Sequence, residues 1–145
     1  MSTRSRIAIA LPNGRYKSVY CHWDGYPKGV GRKLVEHYNS EELARALIDL
    51  GGISSLRSTL APPVGSTHTI DNPLPDVTIA YRRDRGDKDM DAVVSVNFNA
   101  LTALALNSWG EFIYVFDQGR WTFTPVAWIK GSPLPSESDL KEIAP

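Results

Sequence analysis

RIAIALPNGRYKSVYCH, residues 6 to 22, decides how the fold begins. Two runs of alternating character flank Asn13-Gly14, and Asn-Gly is the strongest short hairpin signal. A two-residue loop sets Leu11 opposite Tyr16, Ile9 opposite Ser18 and Ile7 opposite Tyr20. One step further, Arg6 faces Cys21 and Ser5 faces His22. Strand side chains alternate between faces. This register groups Ile7, Ile9, Leu11, Tyr16 and Tyr20 with His22, and places Ala8, Ala10, Val19 and Cys21 on the other side.

Working outward, DGYPKG reads as a turn and VGRKLVEHY as a short helix with Val30, Leu34 and Tyr38 on one stripe. A second helix follows, with Asn39 and Glu42 at capping-box spacing. Leu43, Leu47 and Leu50 form its expected buried stripe, widened by Ala44 and Ile48, and Gly51-Gly52 ends it. Residues 57–76 are rich in Pro, Ser, Thr and Gly and read as a long loop. DVTIAY reads as a strand, RRDRGDKDMD as a charged turn and AVVSVNF as the returning strand. NALTALALNSWG fits a short helix capped by Asn99, although such a run also packs in strands. EFIYVFDQGRWTFTPVAW is a second hairpin that pairs Phe116 with Trp121 and Tyr114 with Phe123. The expected fold is α+β: an antiparallel sheet built from hairpins, with a helix pair packed on one face. Residues 1–130 form one domain, and 131–145 a polar, Pro-rich tail with at most one helical turn.

The chain of 145 residues suits one domain with a real core. Sixteen basic and sixteen acidic side chains cancel, which argues against general nucleic-acid binding. One cysteine cannot form an internal disulfide, so a reducing compartment is expected. No run is long enough for a signal-peptide core or a membrane helix.

The candidate chemistry centres on YCHWDGYPKGVGRK, residues 20–33. A nucleophilic cysteine needs a base within reach, and neighbouring strand positions point Cys21 and His22 apart. Asp24 shares a face with His22 and could fix its tautomer; alternatively Asp24-Gly25 only turns the chain. Gly29 and Gly31, near a helix start, with Lys28, Arg32 and Lys33, suggest a phosphate cradle, on which Trp23 or Tyr26 could stack. The competing reading is a turn that needs glycine freedom. The expected ligand-binding residues are therefore His22, Trp23, Asp24, Tyr26, Lys28, Gly29, Gly31, Arg32 and Lys33. No catalytic residue is assigned. Neither the scattered histidines His22, His37 and His68 nor the DRGDKDMD aspartates have metal-ligand spacing, so no metal or other cofactor is expected. Trp109, Trp121 and Trp128 add aromatic surface suited to a partner or a homodimer.

Taken together, MSTRSRIAIALPNG, VYCHWDGYPKGVG, LVEHYNS, DLGGISSL and WGEFIYVFDQGRW resemble a family of small bacteriophage and prophage proteins. The likeness covers Met1 to Leu56 and Asp76 to Trp128. It implies a phage accessory protein in the host bacterial cytoplasm that antagonises host defence. Such a protein would act without catalysis, by binding a host defence protein or a small nucleotide or phosphate ligand. Two alternatives stay open: a small hydrolase or transferase using Cys21, His22 and Asp24, or a structural or regulatory partner of another phage protein.

Overall fold

In the computed structural model, which describes residues 2–126 and 133–143, Pro12 changes the expected register of the first hairpin. β1 (Arg4–Ala10) and β2 (Tyr16–Cys21) pair antiparallel, with Ala10 opposite Tyr16, Ile7 opposite Val19 and Arg6 opposite Tyr20. The shift is one residue from expectation. Proline has no N–H to give to a ladder, so Pro12 cannot close the pair with Arg15. The loop takes in Pro12 along with Asn13 and Gly14, whose φ values are 66° and 74°, and the Leu11 N–H closes it on the Arg15 carbonyl at 2.8 Å. A one-residue slip moves a whole set of side chains to the other face. Cys21 and Val19 consequently share a core with Ile7 and Ile9, while Tyr16 packs with Ala8 and Ala10.

The fold is α+β, with a mostly antiparallel sheet. After β2, a five-residue π turn (Pro27–Gly31) runs into α1 (Arg32–His37), followed by α2 (Glu41–Asp49). The cap of α2 is Ser40, one residue later than expected, and its side chain accepts the Leu43 N–H at 3.2 Å. The buried stripe is accordingly Ala44, Leu47 and Ile48, with Leu43 exposed. Gly51 ends the helix at φ 86°.

β3 (Ile53–Ser55) and β4 (Ile79–Ala80) are short, and α3 (Tyr81–Arg85) stands where a charged turn was expected. The Asp84 carboxylate folds back on the Ala80 N–H at 2.8 Å, and Gly86 terminates the turn at φ 78°. β5 (Val93–Ser95) consequently does not return beside β4. It pairs antiparallel with β2, placing Tyr16 opposite Ser95. α4 (Phe98–Asn107) is a helix, capped by Asn97 and not Asn99. β6 (Gly110–Asp117) and β7 (Arg120–Pro125) form the expected hairpin, with Phe116 opposite Trp121 and Tyr114 opposite Phe123. The C-terminal segment is not merely a tail: β8 (Lys141–Glu142) adds to β7. Trp128 lies outside the described residues.

Among the described residues the sheet has eight strands in the order β4-β3-β2-β1-β6-β7-β8, with β5 also against β2. Its centre departs from hairpin logic, because β1 and β6 run parallel, with Ile7 beside Tyr114. Helices cover both faces. The pair α1 and α2 buries Leu34, Leu47 and Ile48 against Ile7, Ile9, Val19 and Tyr114. α4 covers the opposite face, with Phe98, Leu101 and Ala105 against Ala8, Ile113 and Val115. No helix among the described residues is long and apolar enough to cross a membrane.

The 57–76 segment is tethered although it has no regular element of its own. Thr59 donates to the Asp76 carbonyl at 3.1 Å and accepts from the Thr78 N–H at 2.8 Å. His68, whose side chain is fully buried, accepts the Leu74 N–H on Nδ1 at 3.0 Å. Nε2 must then carry the proton, and it faces Asp84 Oδ2 at 3.3 Å and the Thr78 carbonyl at 3.1 Å.

Candidate functional site

Asp24 takes the left-handed conformation at φ 56° and turns the chain out of the sheet. The expected phosphate cradle is not formed there. The Gly29 N–H bonds to the Tyr26 carbonyl at 2.9 Å and the Val30 N–H to the Asp24 carbonyl at 2.8 Å, so both amides are occupied by backbone. The glycines serve close packing instead. A side chain on Gly29 would lie 2.3 Å from the Asp24 carbonyl oxygen, and one on Gly31 would lie 3.2 Å from the Tyr114 ring. Lys28 and Arg32 are exposed and Lys33 is half-buried, and none of them lines the cavity described below. Trp23 and Tyr26 are exposed, with the Tyr26 hydroxyl 3.3 Å from Asp24 Oδ1. Gly25 is pinned from both sides: its N–H bonds to the Thr3 carbonyl at 2.8 Å, and its carbonyl accepts the buried Tyr114 hydroxyl at 2.6 Å.

Cys21, His22 and Asp24 are not brought together. Cys21 is fully buried in the core against α1 and α2. Burial pushes its thiol up to about 12, and the Sγ–H is directed at the Trp23 carbonyl at 3.7 Å. His22 does not pair with Asp24, which turns the chain; its Nδ1 lies 2.6 Å from the Tyr20 hydroxyl. Burial and then the positive charge of Arg4 hold the imidazole below its ordinary range.

Tyr20 leads from this stretch to a cavity of about 460 Å³ that sequence reasoning missed. It opens on the α4 side of the sheet, where β1 starts and β2 ends. Arg4, Arg6 and Tyr20 form its floor. Gly52 and the 89–91 loop form one wall, Val93 of β5 another, and Ser108 with Trp109, just beyond α4, its lip. The loop is seated closely: the Gly52 N–H donates to the Met90 carbonyl at 2.7 Å, and a side chain on Gly52 would lie 2.4 Å from the Met90 methyl. Arg82 pairs with Asp91 and also donates to the Asp49 carbonyl at 3.1 Å, tying the same loop to the end of α2.

Arg6 is the chemically unusual group. It is 7% exposed. Nε donates to Ser18 Oγ at 2.8 Å, and Nη2 reaches the Ser18 carbonyl at 3.4 Å. No carboxylate among the described residues lies within ion-pair distance of Arg6 or Arg4. A buried cation without a counter-charge is costly, and burial lowers this guanidinium to about 10. The register shift decides its surroundings, because it places Tyr20 opposite Arg6 where Cys21 was expected. The sequence signal was present in R-S-R-I-A-I-A, a strand whose inward alternation begins with two arginines.

Among the described residues there is no cluster of His, Cys, Asp and Glu able to hold a metal ion. Comparison with known proteins returned no matching family model, no matching curated protein and no matching solved structure.

Proposed function

We propose that the protein is a non-enzymatic bacteriophage accessory protein that antagonises host defence by binding a small phosphate-bearing ligand in the host cytoplasm. The observation that carries the binding reading is the buried Arg6 in the floor of the cavity, outside ion-pair distance of any described carboxylate, with Arg4 in the same lining. Guanidinium groups match phosphate oxygens in charge and geometry. The phage setting rests on the resemblance of residues 1–56 and 76–128. The hydrolase alternative finds no support in geometry, since Cys21 is buried and His22 and Asp24 each bond to a different tyrosine. A protein-docking reading has one observation in its favour: Val94 and Val96, in and just after β5, are exposed near Val93 at the cavity rim.

Calorimetric titration with inorganic phosphate and a panel of nucleotides, followed by mass spectrometry of the recovered ligand, tests the proposal. Binding with the ligand recovered intact is expected. Chemical conversion of a bound ligand would overturn the non-enzymatic reading, and no phosphate or nucleotide binding at millimolar ligand would overturn the phosphate reading.

A further inference from the structure

The 460 Å³ cavity is far larger than a phosphate ion needs and falls in the range of small-molecule sites, roughly 300–1,000 Å³. Its chemistry is divided. The cationic floor holds Arg4 and Arg6, and the opposite wall carries Asp89 and Asp91. Asp91 is paired with Arg82, and neither carboxylate lies within ion-pair distance of Arg4 or Arg6. The ring of Tyr20, with Met90 and Val93, adds apolar surface to the lining. An occupant that satisfies all three needs an anion at one end, hydrogen-bond donors elsewhere and a flat apolar body.

Trp109 indicates which end lies outward. α4 ends at Asn107, and Trp109 follows in the left-handed conformation at φ 62°. That position after a helix commonly belongs to glycine, and a bulky residue there is strained. Strain of this kind gathers at binding sites. The residue held there is 64% exposed at the cavity lip, while Arg6 is 7% exposed at the floor. A ring stacked on Trp109 would lie at the mouth, with its anionic end within.

We infer that the cavity is a nucleotide site, with the phosphate seated on Arg6 and Arg4 and the base stacked at the mouth on Trp109. Sugar hydroxyls or base amino groups then face Asp89. This inference rests on reading the cavity as an anion site and adds the class of ligand and its orientation.

The test is calorimetry on the full chain with inorganic phosphate, adenosine, guanosine, AMP and GMP. At least one nucleotide is expected to bind tenfold or more tightly than both phosphate and its own nucleoside. Arg6→Gln and the less buried Arg4→Gln should each weaken nucleotide binding by about tenfold or more, and circular dichroism identifies any variant that fails to fold. Trp109→Gly separates structure from recognition. Glycine suits the left-handed position, so the variant should fold, which circular dichroism checks, while nucleotide affinity falls roughly tenfold, the scale of one lost base stack, and phosphate affinity is unchanged. Nucleotide binding no tighter than phosphate, or unaffected by Trp109→Gly, overturns the nucleotide inference and leaves the anion reading standing. Absence of binding by phosphate and nucleotides alike overturns both.

Discussion

Tyr114→Phe removes one oxygen from the best-buried part of the molecule. Tyr114 is fully buried on β6, and its hydroxyl donates to the Gly25 carbonyl at 2.6 Å. The substitution therefore leaves a buried acceptor, the Gly25 carbonyl, without its partner while changing almost no volume. Leaving a buried polar group unsatisfied costs about 1–3 kcal/mol. For a domain of this size that corresponds to a fall in Tm of about 3–9 °C. Urea titration followed by tryptophan fluorescence would measure it, with an unchanged m-value showing that the two end states are otherwise the same. Tyr26→Phe is the control, because that hydroxyl is at the surface and 3.3 Å from Asp24 Oδ1. A change below about 0.5 kcal/mol is expected there. If the two variants lose the same stability, the corner is not held by Tyr114 and the account of Gly25 fails.

Stability should also fall in acid through Asp84. Burial alone would raise its carboxyl, but bonds from Arg83 and the Ala80 N–H, with the charge of Arg83, hold it below the ordinary value. A depressed carboxyl contributes stability at pH values above its unfolded pKa, near 4, and loses that contribution as pH falls through the folded value. Urea titrations from pH 6 to 2 should show the gap between wild type and Asp84→Asn closing below about pH 4; a gap that stays constant would refute the assignment. Cys21, buried and with its thiol pushed up to about 12, should react with a disulfide reagent at pH 8 only as fast as the protein unfolds. Rapid labelling of the native protein would return the thiol to consideration as a nucleophile.

The parts legible in the sequence are the local ones. The Phe116–Trp121 hairpin follows from a tight turn and alternating aromatics, and the second helix from its own apolar spacing. Its cap was misplaced because Asn39 and Ser40 are both good caps, and only the backbone decides between them. The first hairpin shows how one residue can redirect a reading: Asn-Gly named the turn, but Pro12 could not enter the ladder. That slip exchanged Cys21 for Tyr20 opposite Arg6. The cavity itself was not legible, because its walls come from β1, β2, the 89–91 loop and the end of α4. Nothing in local pattern brings Met90 or Trp109 to Arg6. The α3 turn, which sends β5 to β2, depends on Asp84 reaching back to Ala80, a bond that composition does not announce.

The parallel pairing of β1 with β6 bears on the protein's synthesis. Ile7 leaves the ribosome about a hundred residues ahead of its neighbour Tyr114. At about 5–20 residues per second that delay is roughly 5–20 s. Throughout it the β1–β2 hairpin can form, but the outer edge of β1 stays open and Ile7 and Ile9 lack the β6 side chains that cover them in the finished core. A strand at the centre of the sheet is thus the one that waits longest for its partner. Nascent chains stalled before Gly110 should be held by chaperones, and release should follow translation of the WGEFIYVF segment.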